Sequence, residues 1–168
     1  MYDETEMDLL EYSYKSIRND LVKLFLLTGI ATLTGVLKEF LVTLFTISSI
    51  RVFIGGIHKN SFWGCFIFSF IYISLSMGVA LLCQKHTVYL FAIMVITMFV
   101  PLNVSPVSSN KKKLLDEQRK ALRKKHGLTC EIFFIVVAIA LRNPLYRACI
   151  YSGVINSNLQ LLYIKMRR

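Results

Sequence analysis

Charge is scarce in this 168-residue sequence, and acid is scarcer than base. Charged residues make up 18% of the chain, where a soluble domain carries about a quarter, and they are bunched rather than spread. Hydrophobic residues reach 55%, with a mean hydropathy of +0.54, which argues against a soluble core wrapped in charge. Patterned cysteine is lacking too. Cys65, Cys83, Cys130 and Cys149 form no CxxC pair and no zinc-binding spacing, so a disulfide framework, a metal site and a cofactor are not expected, and a thiol redox protein ranks last. Each lies in or beside an apolar run, where packing is the default role. The first twenty residues lack the pattern of a cleavable signal peptide, carrying Asp3, Glu4, Glu6, Asp8 and Glu11 instead. No internal repeat is visible.

What is present is a series of apolar runs long enough to cross a hydrocarbon layer of ~30 Å. Such runs must be helical, because in lipid each backbone amide needs a partner within its own segment. The sequence predicts an all-α, polytopic membrane protein of a single domain, 1–168, with about six transmembrane helices: 21–37, 40–54, 62–83, 87–104, 128–141 and 145–164. The fourth has Pro101 near its end, the fifth is short and carries Glu131, and the sixth is rather polar. Residues 1–20 read as an amphipathic surface helix, with Met7, Leu9, Leu10, Tyr14 and Ile17 on one stripe.

The formal charge of +10 invites a nucleic-acid reading, but Lys and Arg concentrate between the apolar runs, where anionic lipid holds them. Partners are therefore membrane lipid and not nucleic acid. Six spans put both termini on one side. With that side inside, 16 of the 20 basic residues fall there, and only Lys38, Lys85, Arg142 and Arg147 fall outside. The termini, the 51–59 connection and the basic loop 105–127 are thus expected in the cytoplasm.

Ionisable groups at membrane depth are costly and commonly persist for function or pairing. Arg51, the His58/Cys65 pair and Glu131 qualify. Seven residues along one helix would set His58 and Cys65 about 10 Å apart, too far for a thiol and its base. The helix must break between them, and Gly55–Gly56 with Lys59-Asn60-Ser61 offers the break. Ser61 is a plausible N-cap, placing Cys65 in a first helical turn whose dipole favours thiolate. The amides of Trp63, Gly64 and Cys65 would be open to an oxyanion. Spacing alone leaves a second reading, a surface histidine and a packed cysteine. Glu131 is expected in an ion pair with Arg51 or, less readily, as the group orienting His58. His86 and His126 are expected in exposed turns.

The stretch Arg51-Val-Phe-Ile-Gly55-Gly56-Ile-His58, followed by six residues and Cys65, resembles the signature of the accessory gene regulator B (AgrB) family. The small size, the six apolar segments and the Pro106–Val107 exit into a lysine-rich loop match along nearly the whole chain. The resemblance implies a membrane cysteine endopeptidase of a Gram-positive bacterium, cutting an AgrD-like propeptide and cyclising the product to a thiolactone or lactone quorum-sensing peptide. It implies Cys65 as nucleophile and His58 as general base and acid, supported by Arg51, Gly55 and Gly56. Family propeptides carry an acidic tail, so Lys111, Lys112, Lys113, Arg119, Lys120, Arg123, Lys124 and Lys125 are the expected tail-binding residues. A homodimer is compatible with this class. The alternative is a non-catalytic permease subunit or assembly factor.

Overall fold

Apolar side chains recur at three- and four-residue spacing through most of the chain, and the described residues accordingly form helices and no strand. A computed structural model describes residues 4–55, 61–104 and 117–166, the side chains of 4–13, 15, 16 and 117–120 excepted. The helices are α1 (Glu4–Leu33), α2 (Leu37–Ile54), α3 (Phe62–Cys83), α4 (Thr87–Thr97), α5 (Phe99–Val104), α6 (Glu117–Ala140) and α7 (Pro144–Met166), with one 3-10 turn at Gln84–His86.

Four expected boundaries move. The leader and first span are one unbroken α1, because no glycine or proline interrupts residues 4–28; a separate surface helix at 1–20 is not formed. That helix stops at Leu33, three residues before α2 begins. Gly35 takes φ +73°, open mainly to glycine, so Lys38 and Glu39 enter the first turn of α2 rather than a loop. The fourth apolar run divides at Met98 into α4 and α5. Pro101 has no N–H to give Thr97, and its ring crowds that carbonyl. The short fifth segment gains length from the basic loop: α6 has 24 residues, about 36 Å.

Residue pairs fix the directions. Gly127 packs on Ile54 and Phe134 on Phe45, ring centroids 5.9 Å apart, so α6 runs antiparallel to α2. Arg147 reaches back to Ala138, donating from Nε to its carbonyl at 3.2 Å and from its terminal nitrogen to the Leu141 carbonyl at 2.6 Å. These bonds satisfy carbonyls at the end of α6 that have no intrahelical donor. Asn143 opens α7, its Oδ1 accepting from the Leu145 amide at 2.9 Å, with Pro144 at the first helical position.

The rather polar last segment is the centre of the bundle. Residues 148–154 of α7 are buried on every side, as are Ser157, Asn158, Gln160 and Leu161, and α2 to α6 all pack against it. Small residues allow the approach: a Cβ on Gly153 would stand 3.2 Å from Thr46 Cγ2. Outside, Phe25, Phe45, Val52, Ile71, Leu82, Val88, Ile96 and Phe133 are exposed. Polar groups such as Thr43, Glu131, Asn158 and Gln160 thus share the interior with apolar ones, while many large apolar side chains are exposed, unlike the surface of a soluble domain. One stretch, Phe62–Val104, is long and apolar enough to cross a membrane by length and composition.

Candidate functional site

The end of α2 and the start of α3 lie beside the middle of α1, and Cys65 is where they meet. Arg51 occupies the last turn of α2. Gly55 follows with φ +93° and ψ 179°, and its amide donates to the Arg51 carbonyl at 2.9 Å. That left-handed φ favours glycine, which accounts for Gly55. Gly56 and His58 lie outside the described residues, as do Lys59 and Asn60.

Ser61, extended at φ −93° and ψ 140°, precedes α3 but makes no side-chain capping bond. The Cys65 amide donates to the Ser61 carbonyl at 3.0 Å, the first bond of the α3 ladder. The expectation that this amide stays open is corrected: the amides ahead of that bond belong to Phe62, Trp63 and Gly64. Cys65 is half-buried in the first turn, where the helix dipole favours an anion.

Among the described residues, two cations act on the thiol. Arg51 interacts electrostatically with Cys65, Tyr72 and Asp20. Lys23 of α1 is within hydrogen-bonding reach of Cys65, its Nζ 2.9 Å from Asp20 Oδ1 and 5.6 Å from the centre of the Phe62 ring. Lys23 is buried, on the same stripe as Leu27 and Ala31, so α1 packs with an ammonium where spacing calls for an apolar side chain. Sequence reasoning overlooked it. The signal was there: Lys23 lies inside the run 21–37, with an acid three residues earlier at helix-pairing distance.

About two turns deeper along α3, Tyr72 ties α3 to α7. Its hydroxyl donates to the Asn156 carbonyl, while Asn156 Nδ2 donates to the Tyr72 carbonyl at 3.0 Å and to Ser76 Oγ at 2.6 Å. Neither Tyr72 nor Asn156 was singled out by sequence.

The other expected residues are dispersed. Glu131 is fully buried between α6 and α7, facing Asn158, yet neither carboxylate oxygen meets hydrogen-bond geometry. An ion pair with Arg51 is therefore not formed; Arg51 interacts electrostatically with Tyr72, Cys65 and Asp20 instead. Among the basic residues, Lys111, Lys112 and Lys113 lie outside the described residues, and Arg119 and Lys120 are described in backbone only, at the start of α6. Lys124 donates to the Leu102 carbonyl at the end of α5; Arg123 is half-buried and Lys125 exposed. His86 is exposed beside Tyr89. His126 is exposed on α6 rather than in a turn, 5.9 Å from the Phe53 ring. The four cysteines form no disulfide. Among the described residues no His, Cys, Asp and Glu group could hold a metal ion.

Comparison with known proteins adds a family. A family model described as Accessory gene regulator B matches residues 1–164. The chain is 26% identical over 146 residues to an AgrB-like protein of Clostridium perfringens (strain SM101 / Type A), covering 82% of this chain and 68% of that one. No solved structure matches.

Proposed function

We propose, from the premise that the chain belongs to the accessory gene regulator B family, that it is a multi-pass membrane cysteine endopeptidase that cuts and cyclises an AgrD-like propeptide. Family membership gives it a role in the agr quorum-sensing system. The observation that carries the finer reading is the placement of Cys65: a half-buried thiol in a first helical turn, with Lys23 and Arg51 beside it. A thiolate is the reactive form of cysteine, and adjacent cations with a helix N-terminus are what favour it.

In this mechanism His58 takes the Cys65 proton, and Sγ attacks the carbonyl carbon at the end of the mature peptide. The C–N bond breaks, His58 returns its proton to the leaving amine, and the acidic tail departs. The acyl-enzyme thioester then meets a thiol or hydroxyl within the bound peptide. That group loses its proton to His58, displaces Sγ and closes a thiolactone or lactone, regenerating the Cys65 thiol. Thioester exchange is nearly balanced, so water must be kept out for cyclisation to prevail. The half-buried sulfur favours that outcome.

Membrane placement rests on the many exposed large apolar side chains and on the apolar stretch Phe62–Val104. We assign six passes in a cell membrane, with the termini and the His58–Cys65 dyad on the cytoplasmic side, from the excess of Lys and Arg there. The exposed Lys125 and the lysines at 111–113 are assigned to the acidic tail. Co-expression with a propeptide encoded nearby tests the enzyme reading. Cleavage should be lost in Cys65→Ser and His58→Ala, and cleavage that survives Cys65→Ser would sink it.

A further inference from the structure

Lys23 is an expensive residue to place where it lies. An ammonium on a packing stripe loses water, and lysines near helix ends ordinarily escape by running their heads to the surface. This one does not: it is 9% exposed. Its surroundings say what holds it. Asp20 supplies a carboxylate at 2.9 Å, Phe62 an aromatic ring at 5.6 Å and Cys65 a sulfur within hydrogen-bonding reach.

We propose that Lys23 is a third catalytic group of the Cys65 site: its ammonium, held by Asp20, donates a hydrogen bond to the sulfur and stabilises the thiolate that attacks the propeptide. The proposal rests on the peptidase reading above. Among the described residues, the charged and titratable groups around the sulfur are Asp20 and Lys23 on α1, Arg51 on α2 and Tyr72 on α3. Two cations face one carboxylate, and that carboxylate is 59% exposed, so water screens it. A thiolate there gains a buried ammonium as hydrogen-bond donor, which a neutral thiol uses less.

Lys23 is not the base. Asp20 accepts from its ammonium and holds it in the charged form, so the thiol proton goes to His58 and no bond to Lys23 forms or breaks. Its effect is confined to the stability of the anion, before attack and again when Sγ leaves. This assignment also fits the course of α1, which runs unbroken from Glu4 to Leu33. The helix that carries Asp20 and Lys23 must reach the first turn of α3 at the depth of the sulfur.

The test is the rate of Cys65 alkylation by iodoacetamide as a function of pH, read by mass spectrometry on the full chain in detergent. Lys23→Met should slow alkylation near neutral pH by roughly tenfold, the size of one charge-assisted hydrogen bond. The deficit should close at alkaline pH, where the thiol ionises unaided. Lys23→Arg should restore most of the rate, and propeptide cleavage should fall with kcat while KM holds. Labelling of Cys130 and Cys149 monitors the fold; if Lys23→Met does not fold, Lys23→Gln carries the same comparison. A Lys23→Met or Lys23→Gln profile that overlays wild type, or a loss equal at every pH, overturns the proposal. Failure of the peptidase reading is separate: it appears as cleavage by Cys65→Ser, whatever Lys23 does to alkylation.

Discussion

Tyr72 and Asn156 exchange hydrogen bonds in both directions across the α3–α7 interface, the phenol donating to the Asn156 carbonyl and the amide donating to the Tyr72 carbonyl at 3.0 Å. Each side chain thus bonds the other's backbone, and Asn156 reaches Ser76 as well. Because Cys65 lies about two turns before Tyr72 and about three before Ser76 on α3, this clamp sets the depth of the nucleophile against the central helix.

The clamp should behave as a unit. Tyr72→Phe removes one bond and should cost about 1 kcal/mol, and Asn156→Leu, which strands Ser76 Oγ and a carbonyl, about 1–3 kcal/mol. The double variant should cost less than the sum, with a coupling of about 0.5–3 kcal/mol. Thermal melting in detergent of the four proteins checks this. Strict additivity would show that the two residues do not share an interaction.

The approach of α6 to α2 depends on Gly127. A Cβ there would stand 2.5 Å from Ile54 Cγ1 and 3.0 Å from Cδ1, and Ile54 is itself buried. Gly127→Ala should therefore destabilise by about 1–3 kcal/mol through overpacking. Ile54→Val removes the Cδ1 contact alone, whereas Ile54→Ala opens the space and should recover most of the loss in the double variant. Melting temperatures read the effect, and no recovery in Gly127→Ala/Ile54→Ala would contradict the packing.

Much of this arrangement was legible in the sequence, and the exceptions have physical causes. Helix α3 was delimited at both ends, because a Gly-Gly and a polar run precede it and Gln84-Lys85-His86 follows. The end of α1 was misplaced, because the charged pair Lys38–Glu39 drew the boundary past Thr34-Gly35, where the backbone turns. The central position of α7 was hidden by its composition. Asn156, Asn158 and Gln160 read as weakening a membrane span, yet buried polar groups suit a helix shielded from lipid on all sides. Cys65 was identified by the motif, and its setting was only half seen. Arg51 was noted for its charge, whereas Lys23 went unnoticed inside the first apolar run, 21–37, where only its length and hydrophobicity were weighed.

Lys124 and Lys125 are neighbours with different work to do. Lys124 is committed to the Leu102 carbonyl at the end of α5, so Lys124→Gln should cost stability, about 1 kcal/mol, and should loosen the contact between α5 and α6. Lys125 is exposed and belongs to the proposed tail surface. Lys125→Gln should leave melting unchanged and weaken binding of the propeptide tail, more at low than at high salt. Melting curves and tail-peptide titrations at two salt concentrations separate the two residues; equal effects of both changes on binding would show that Lys124 is not held by α5.

Glu131 supplies the sharpest contrast between what charge alone suggests and what the packing does. If it were ion-paired with Arg51, replacing it by glutamine would strand a guanidinium and cost about 3–5 kcal/mol. Arg51 instead interacts electrostatically with Tyr72, Cys65 and Asp20, and Glu131 is fully buried with both oxygens outside hydrogen-bond geometry. A carboxyl group in that position is a cost to the fold, because burying a polar group without a partner is unfavourable and burying its charge more so. Glutamine has the same shape, carries no charge and adds a donor that can meet the Asn158 side chain facing it. Glu131→Gln should therefore be neutral or stabilising, by up to about 2 kcal/mol, with alkylation of Cys65 unchanged. A melting temperature that falls by several degrees, with slower Cys65 alkylation, would mean that Glu131 does act through Arg51.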